Sequence, residues 1–187
     1  FRDLLSGIDL PVACVPGNHD IRALMREALS DAPFSYCPDL HIGNWLLASV
    51  DSCVTGQAGG YVSSDELQRL EDTVRTSDAE HIAVFLHHPP ANMGSQWLDS
   101  VGLENADEVL ARLQSDERVH TAVFGHVHQA YDKEHGTVRV IGTPSTCRQF
   151  KPGSDEFAVD DRPPAYRKLT LMPDGRVETD LVWIDAD

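Results

Sequence analysis

Five of the nine histidines fall into three short clusters, and each cluster directly follows an apolar segment. The clusters are Gly17–Asp20 (GNHD), His87–Pro90 (HHPP) and Gly125–His128 (GHVH). Neutral imidazole binds transition metals and also carries protons near neutral pH, and the amide oxygen of Asn18 is a hard metal ligand. The three clusters are therefore candidates for a metal site with acid–base chemistry.

The spacing inside the clusters indicates how the side chains could be directed. Adjacent residues of an extended chain point to opposite faces, so one of His87 and His88 is expected to reach the site while the other packs behind it. His126 and His128 are two residues apart, so on an extended backbone they would face the same side. They could then hold one metal together or two neighbouring metals. Each cluster alone also fits a structural role, such as a capped turn or a packed histidine pair.

The segments before the clusters are predicted buried strands at Pro11–Val15, His81–Leu86 and Val119–Phe124. In an α/β sheet, the loops that follow the carboxyl ends of strands carry the chemistry. We therefore expect the three clusters to meet at one edge of a sheet.

The remaining pattern predicts an α/β fold with a two-sheet β-sandwich core flanked by helices, in a single domain over 1–187. Asp20 is expected to cap a helix over Ile21–Leu29, and capping boxes at Ser63–Glu66 and Asn105–Glu108 predict two more helices. Further strands are predicted at Trp45–Ser49, Val138–Ile141, Arg167–Met172 and Arg176–Trp183, the last two joined by a turn at Pro173–Gly175.

Composition excludes two classes of partner. Fifteen basic against 30 acidic residues give a net charge of −15, which repels nucleic-acid polymers and anionic membranes. The apolar runs are of strand length, so no membrane span is predicted. The four cysteines are scattered and form no CxxC pair, which predicts reduced thiols and a cytoplasmic location. We expect each of them to be a small buried hydrophobic residue: Cys14, Cys37, Cys53 and Cys147.

Taken together, the three motifs resemble those of the calcineurin-like metallophosphoesterases, which carry GNH[DE], a His-Pro segment and GHxH in the same order along the chain. The stretch Gly142–Ser154 is similar to the bacterial class III 3′,5′-cyclic-AMP phosphodiesterases. The resemblance covers nearly the whole chain. It implies hydrolysis of a small cyclic-nucleotide substrate at a dinuclear metal centre, where a metal-bridging hydroxide attacks phosphorus.

The resemblance also implies a ligand set. Asn18, His87 and His126 would bind the second of two divalent metals, and His128 would bind the first. Nitrogen and oxygen ligands of this kind suit Fe, Mn or Zn. The metals would offset the charge of an anionic substrate that meets an acidic protein.

Catalytic and substrate-binding roles follow from the same resemblance. His19 is expected to protonate the leaving oxygen or to stabilise the phosphate oxygens, and Asn18 and His19 are expected to contact the substrate. His88 is expected to orient His87 or to touch the substrate. Arg148 and Lys151 either face the nucleotide or form a solvated basic pair.

Two family blocks, DxH and GDxxD, do not precede GNHD in this sequence, which begins at Phe1. We therefore expect an N-terminally truncated family domain, in which the first metal keeps one ligand and the site holds two, one or no metals. Other interpretations stay open: a metallophosphoesterase for phosphomonoesters or glycerophosphodiesters, or a catalytically inert fragment. An exposed sheet edge would favour a homo-oligomer.

Overall fold

The computed structural model describes residues 1–5 and 7–184. The helices are α1 (Arg2–Leu5), α2 (Arg22–Ala28), α3 (Ser64–Thr76), α4 (Gln96–Asp99) and α5 (Ala106–Leu113). The strands are β1 (Val12–Cys14), β2 (Phe34–Tyr36), β3 (Leu40–Ile42), β4 (Trp45–Val50), β5 (His81–Leu86), β6 (Val119–Phe124), β7 (Tyr131–His135), β8 (Val138–Gly142), β9 (Gln149–Phe150), β10 (Val159–Asp160), β11 (Ala165–Leu171) and β12 (Val177–Trp183).

A six-stranded sheet with the order β3-β4-β5-β6-β8-β7 forms the centre of the fold. Strands β4, β5, β6 and β8 run parallel, and the edge strands β3 and β7 pair antiparallel. The other described strands form three pairs, β1–β2, β9–β10 and β11–β12. This architecture confirms the mixed α/β class with a central sheet flanked by helices. Its parallel strands bring the loops after β5 and β6 to the same edge.

One face of the sheet packs against α3 and α5 and forms the hydrophobic core. Alternate residues of β4, β5 and β6, such as Leu46, Ile82 and Phe124, are buried there together with Leu70 of α3 and Leu113 of α5. Each of these side chains contributes about 1.5–3 kcal/mol by leaving water. This packing makes the parallel strands a rigid base for the loops at their carboxyl ends.

The β11–β12 hairpin lies across the opposite face of the sheet. Trp45 Nε1 donates to Met172 O at 2.9 Å, and Arg139 Nη1 donates to Val177 O at 2.6 Å. The predicted turn at Pro173–Gly175 joins the two strands, with Gly175 N donating to Met172 O at 3.1 Å. The sequence predicts both strands of the hairpin to within two residues.

The three predicted helix caps differ in outcome. Ser63 Oγ accepts from Glu66 N at 3.2 Å at the start of α3, as predicted. The cap at Asn105 is wrong, because its side chain bonds to both backbone groups of Val62, 43 residues away. The cap at Asp20 is also wrong: its carboxylate accepts from Gly17 N at 2.7 Å and so closes the loop after β1.

The cysteine prediction holds for Cys53, which is buried, and is wrong for Cys147, which is exposed in the loop between β8 and β9. Cys14 and Cys37 are partly exposed. All four thiols are free, as predicted. Within the described residues, no helix has the length and apolarity needed to cross a membrane.

Candidate metal centre

Three loops meet beside the carboxyl edge of the six-stranded sheet. The first follows β1 and carries Asn18, the second follows β5 and carries His87, and the third follows β6 and carries His126. The strand before the first loop, predicted to be buried at Pro11–Val15, is instead a partly exposed β1 that pairs with β2 outside this sheet. Gly125 N donates to His87 O at 3.1 Å, which fastens the second loop to the third. A Cβ on Gly17 would lie 2.9 Å from His87 Cε1, so only glycine lets the first loop approach this closely.

Three side-chain donor atoms converge on one spot. His87 Nε2 lies 3.0 Å from Asn18 Oδ1 and 3.2 Å from His126 Nδ1. The three residues come from loops 69 and 39 residues apart, so the fold and not the local sequence brings them together. An amide oxygen and two imidazole nitrogens in one place form a donor set that fits a divalent transition-metal ion.

Backbone carbonyls fix which ring nitrogens are available. His126 Nε2–H donates to Val101 O at 2.9 Å, so its Nδ1 keeps the lone pair that points toward His87. His128 Nδ1–H donates to Arg148 O at 2.8 Å, so its Nε2 keeps a lone pair. A second partner that fixes the tautomer of a histidine is typical of metal ligands.

The two histidines of the third loop do not lie on extended backbone. His126 has φ 62° and His128 has φ 50°, so both occupy the left-handed region, on either side of the fully buried Val127. The strand-alternation argument for these two side chains is therefore wrong. Among the described His, Cys, Asp and Glu side chains, the group whose ligand atoms lie within 4.8 Å of one another is His87, His88 and His126, and His128 lies outside it.

His88 belongs to that group by distance, but its ring nitrogens are already engaged. The Ser52 hydroxyl bonds to Nδ1 at 2.9 Å, and Nε2–H donates to Ala58 O at 3.1 Å. The side chain is 0% exposed, and its ring lies 4.6 Å from the ring of His126 and 4.9 Å from that of His87. Of its two expected roles, this position fits orientation of the neighbouring rings and does not fit a substrate contact.

The pocket around His88 contains residues that sequence reasoning missed. Ser52 is fully buried, and its Oγ also accepts from His88 N at 3.2 Å. A Cβ on Gly60 would lie 2.3 Å from His88 Nδ1 and 2.6 Å from Ser52 O, so no other residue fits there. Neither position belongs to a motif, so the signal exists only in the folded chain.

Burial lowers the pKa values of the clustered imidazoles. The pKa of His87 falls to about 3, because burial and the neighbouring His88, His126 and His128 disfavour its charged form. Burial and the nearby His88 lower the pKa of His126 to about 4. Burial also lowers the pKa of His128. At neutral pH these rings are uncharged, which is the form that binds a metal.

His19 and Asp20 lie at the rim of the candidate centre, and both are exposed. His19 is close enough to His87 and His126 for their charges to interact. Both rim residues also line a cleft of about 830 Å³, together with apolar side chains of α2 such as Leu24 and Met25. The structure therefore leaves His19 open to a bound molecule.

Asp51, the residue that follows β4, anchors α2 to the central sheet. Its carboxylate forms a bidentate salt bridge with Arg22, with N–O distances of 2.7 and 3.0 Å, and accepts a hydrogen bond from the Tyr36 hydroxyl at 3.0 Å. Because Arg22 opens α2 and Asp51 follows β4, this pair fastens the helix after the first loop to the central sheet. The position of Asn18 and His19 depends on that attachment.

Comparison with known proteins gives consistent relatives. A calcineurin-like phosphoesterase family model matches residues 1–130. The 3′,5′-cyclic adenosine monophosphate phosphodiesterase CpdA of Pseudomonas aeruginosa is 34% identical over 185 residues, covering 99% of this chain and 68% of that protein. CpdA of Escherichia coli (strain K12) is 35% identical over 182 residues, covering 97% and 66%. The chain thus spans about two thirds of the length of these relatives.

The fold also has a relative among solved structures. A crystal structure of a hypothetical protein from Thermus thermophilus superimposes with a TM-score of 0.51 at 14% identity, covering 95% of this chain and 77% of that one. This likeness concerns the fold alone. With the family model matching most of the chain and a relative at 34% identity, the motifs, the donor cluster and the comparisons lead to one conclusion: this chain belongs to the calcineurin-like phosphoesterases, a family of hydrolytic enzymes.

Proposed function

We propose that the chain acts as a metal-dependent phosphodiesterase that hydrolyses 3′,5′-cyclic nucleotides, with cyclic AMP as its substrate. The observation that carries the proposal is the convergence of Asn18 Oδ1, His87 Nε2 and His126 Nδ1 within 3.0 and 3.2 Å contacts. The names of the two CpdA relatives support the substrate class. The chain would contribute residues 1–187 as one portion of a larger family domain.

The donor set defines where metals would bind. Asn18, His87 and His126 would hold one divalent ion, and the free Nε2 of His128 would serve a second one. Fe, Mn and Zn suit these nitrogen and oxygen donors. When bound, such ions polarise phosphoryl oxygens and lower the pKa of a coordinated water, which supplies the Lewis-acid chemistry of the reaction.

The chain's own residues would bind and protonate the substrate. Opening a cyclic diester releases a ribose oxygen that must gain a proton. His19 is exposed at the rim beside the donor cluster, so its imidazole would donate that proton. Asn18 and His19 would contact the phosphate, and the buried His88 would hold the rings of His87 and His126 in place.

Location and assembly are part of the same proposal. Four free cysteines fit a reducing cytoplasmic environment. Among the described strands β1 pairs with β2 alone, so its other edge would pair with a second copy. Size-exclusion chromatography with light scattering tests the oligomer, and a monomer at all concentrations would contradict it.

The test of the function is hydrolysis with defined metals. The purified protein is stripped with chelator, reloaded with Mn²⁺, and assayed with cyclic AMP, 4-nitrophenyl phosphate and a glycerophosphodiester. We expect cyclic AMP to be the best substrate and chelation to abolish turnover. A preference for either other substrate would assign the site to another branch of the family. Less than one tightly bound metal per chain, with no hydrolysis of any substrate, would support the inert alternative.

A further inference from the structure

Three aromatic side chains form a cluster next to the candidate metal centre. We call Trp97, Phe150 and Phe157 the aromatic platform. Their ring centroids lie 5.1 Å (Trp97–Phe150), 5.4 Å (Trp97–Phe157) and 5.6 Å (Phe150–Phe157) apart, all with steeply inclined planes. Each ring therefore contacts both others, in the edge-to-face geometry that aromatic groups favour.

The aromatic platform is joined directly to the third histidine loop. The ring of Phe150 stacks on that of His128 at 4.3 Å with an interplanar angle of 3°. Phe150 N also donates to His128 O at 3.3 Å. The exposed end of the platform is therefore one aromatic ring beyond a candidate metal ligand. A molecule that binds at the donor cluster and reaches past His128 would contact this surface.

Phe157 stays exposed although its loop is held firmly. The side chain is 66% exposed. At one end of the loop, Lys151 N donates to Ala158 O at 2.9 Å, beside the β9–β10 pair. In the middle, Ser95 Oγ donates to Ser154 O at the start of α4. Phe157 therefore presents an exposed aromatic face that continues the cluster formed with Trp97 and Phe150.

The charges around the aromatic platform indicate what kind of ligand group fits. Asp155 and Glu156 directly precede Phe157, and both are exposed. These carboxylates repel a second phosphate but tolerate an uncharged aromatic ring. Arg148 and Lys151, also exposed, flank Phe150 in the sequence, and the Arg148 carbonyl accepts from His128 Nδ1. Basic residues thus flank Phe150, and acidic residues precede Phe157.

We propose that the aromatic platform is the nucleobase subsite, in which the base of the cyclic nucleotide stacks on the exposed ring of Phe157. This inference rests on the proposed function, because it assumes that the phosphate occupies the donor cluster. It makes Phe157 a specificity-determining residue, since the donor cluster alone does not distinguish one phosphodiester from another. Stacking requires a planar ring and favours the larger surface of a purine.

The size of the effect follows from stacking energies. Loss of one base–aromatic stack weakens binding about 10- to 100-fold. Phe157→Ala in the full-length protein should therefore raise the Kd for cyclic AMP by that factor. Phe157→Tyr should retain wild-type affinity because the ring remains. As a matched control, Tyr166→Ala removes another exposed aromatic side chain, 40% exposed on β11, and should change nothing.

The experiment is calorimetric titration of the Mn²⁺-loaded protein with slowly hydrolysed phosphorothioate forms of two probes, cyclic AMP and the abasic ribose 3′,5′-cyclic phosphate. The base should improve wild-type affinity, and Phe157→Ala should remove that advantage while leaving the affinity for the abasic probe unchanged. Equal weakening of both probes, or no change for either, would overturn the subsite. So would a loss of self-association in Phe157→Ala with unchanged nucleotide affinity, which would assign the platform to contacts between copies.

A separate outcome distinguishes this inference from the function on which it rests. If the wild-type protein binds cyclic AMP with the expected Phe157 dependence but does not hydrolyse it, the subsite stands and the catalytic proposal fails. If the protein hydrolyses cyclic AMP and its abasic analogue with equal kcat/KM, the catalytic proposal stands and the subsite fails.

Discussion

Strands β5 and β6 carry a pair of histidines at each end, and the two pairs have different surroundings. At the carboxyl ends, His87 Nε2 lies 3.2 Å from His126 Nδ1 and 3.0 Å from Asn18 Oδ1. At the amino ends, His81 and His120 also lie within hydrogen-bond distance, with His81 Nδ1 and His120 Nε2 2.9 Å apart. Two histidine pairs thus occupy opposite edges of the same pair of strands.

The amino-terminal pair is satisfied by the protein itself. His81 Nε2–H donates to Pro173 O at 3.0 Å in the turn of the β11–β12 hairpin, which leaves Nδ1 to accept from His120. The ring of Trp45 lies 5.2 Å from that of His81. A Cβ on Gly175 would come within 2.9 Å of His81, so the turn closes tightly over the pair.

The comparison indicates what separates the candidate metal centre from a structural histidine pair. The carboxyl-terminal pair has a third polar group beside it, the Asn18 oxygen, and the Val101 carbonyl accepts from His126 Nε2, which leaves the His126 Nδ1 lone pair directed toward His87. In the amino-terminal pair, His81 Nε2 donates to Pro173 O in the hairpin, and His120 Nε2 donates to His81 Nδ1. The difference can be tested by parallel substitutions at the two ends.

The largest difference is expected in catalysis. His126→Ala removes a proposed metal ligand, so Mn²⁺-dependent hydrolysis of cyclic AMP should fall at least about 100-fold. His120→Ala changes the hairpin contact and should leave kcat/KM within about twofold. Steady-state kinetics of both variants with matched metal loading measures this. Equal losses would show that the two ends do not differ in function.

The next effect concerns folding stability. Gly60→Ala would push a Cβ into His88 and into Ser52 O, and such overpacking costs about 3 kcal/mol. At the other edge, Gly175 lies in the left-handed region with φ 87°, so Gly175→Ala should lower the free energy of unfolding by about 1–2 kcal/mol. Urea unfolding gives both values. A smaller loss for Gly60→Ala would contradict the rigid pocket around His88.

A smaller effect is expected for the support of the metal centre. Ser52→Ala removes the hydroxyl that bonds His88 Nδ1, so Mn²⁺ affinity should fall, by less than the roughly 10- to 100-fold expected for loss of a direct partner of a ligand. Thr121→Val is a matched control, because Thr121 is equally buried and its hydroxyl bonds Arg139 O near the other edge. It should lower stability without changing metal affinity. Competition with a chelating dye measures the Mn²⁺ affinities of both variants. Equal changes in the two affinities would contradict a positioning role for Ser52.

The smallest effect is the pH dependence of stability in the metal-free protein. The pKa values of His126 and His120 are both lowered on folding by burial. The unfolded chain therefore binds more protons below pH 6.5, and stability present above that pH is lost as the pH falls toward about 4. His126→Gln should flatten this loss more than His120→Gln does. Urea unfolding between pH 7.5 and 4.5 checks the order, and the reverse order would contradict it.

Much of the sheet could be predicted because burial dictates sequence there. His81–Leu86 and Val119–Phe124 are predicted to the residue, since buried parallel strands read as continuous apolar runs. Tyr131–His135 is missed, because an edge strand with solvent on one side carries polar residues without a clear period. Local patterns thus find the strands that the core requires and miss those at its edge.

The candidate site also has a part that the sequence predicts and a part that it does not. Motifs point to Asn18, His87 and His126, which the fold does bring together. They could not reveal the left-handed backbone of His128 or the pocket formed by Ser52 and Gly60. Those features depend on contacts between residues far apart in sequence. The metal-binding and catalytic roles of all these residues stay predictions until the experiments above are done.

The left-handed backbone at His126 and His128 has a consequence for protein engineering. A glycine at either position would relieve strain of about 1–2 kcal/mol, so a screen for heat resistance would favour such replacements. The same replacements would delete an imidazole from the candidate metal centre. Selection for durability and selection for turnover should therefore pull these two positions in opposite directions, and thermostable descendants of this chain would have to gain their robustness elsewhere.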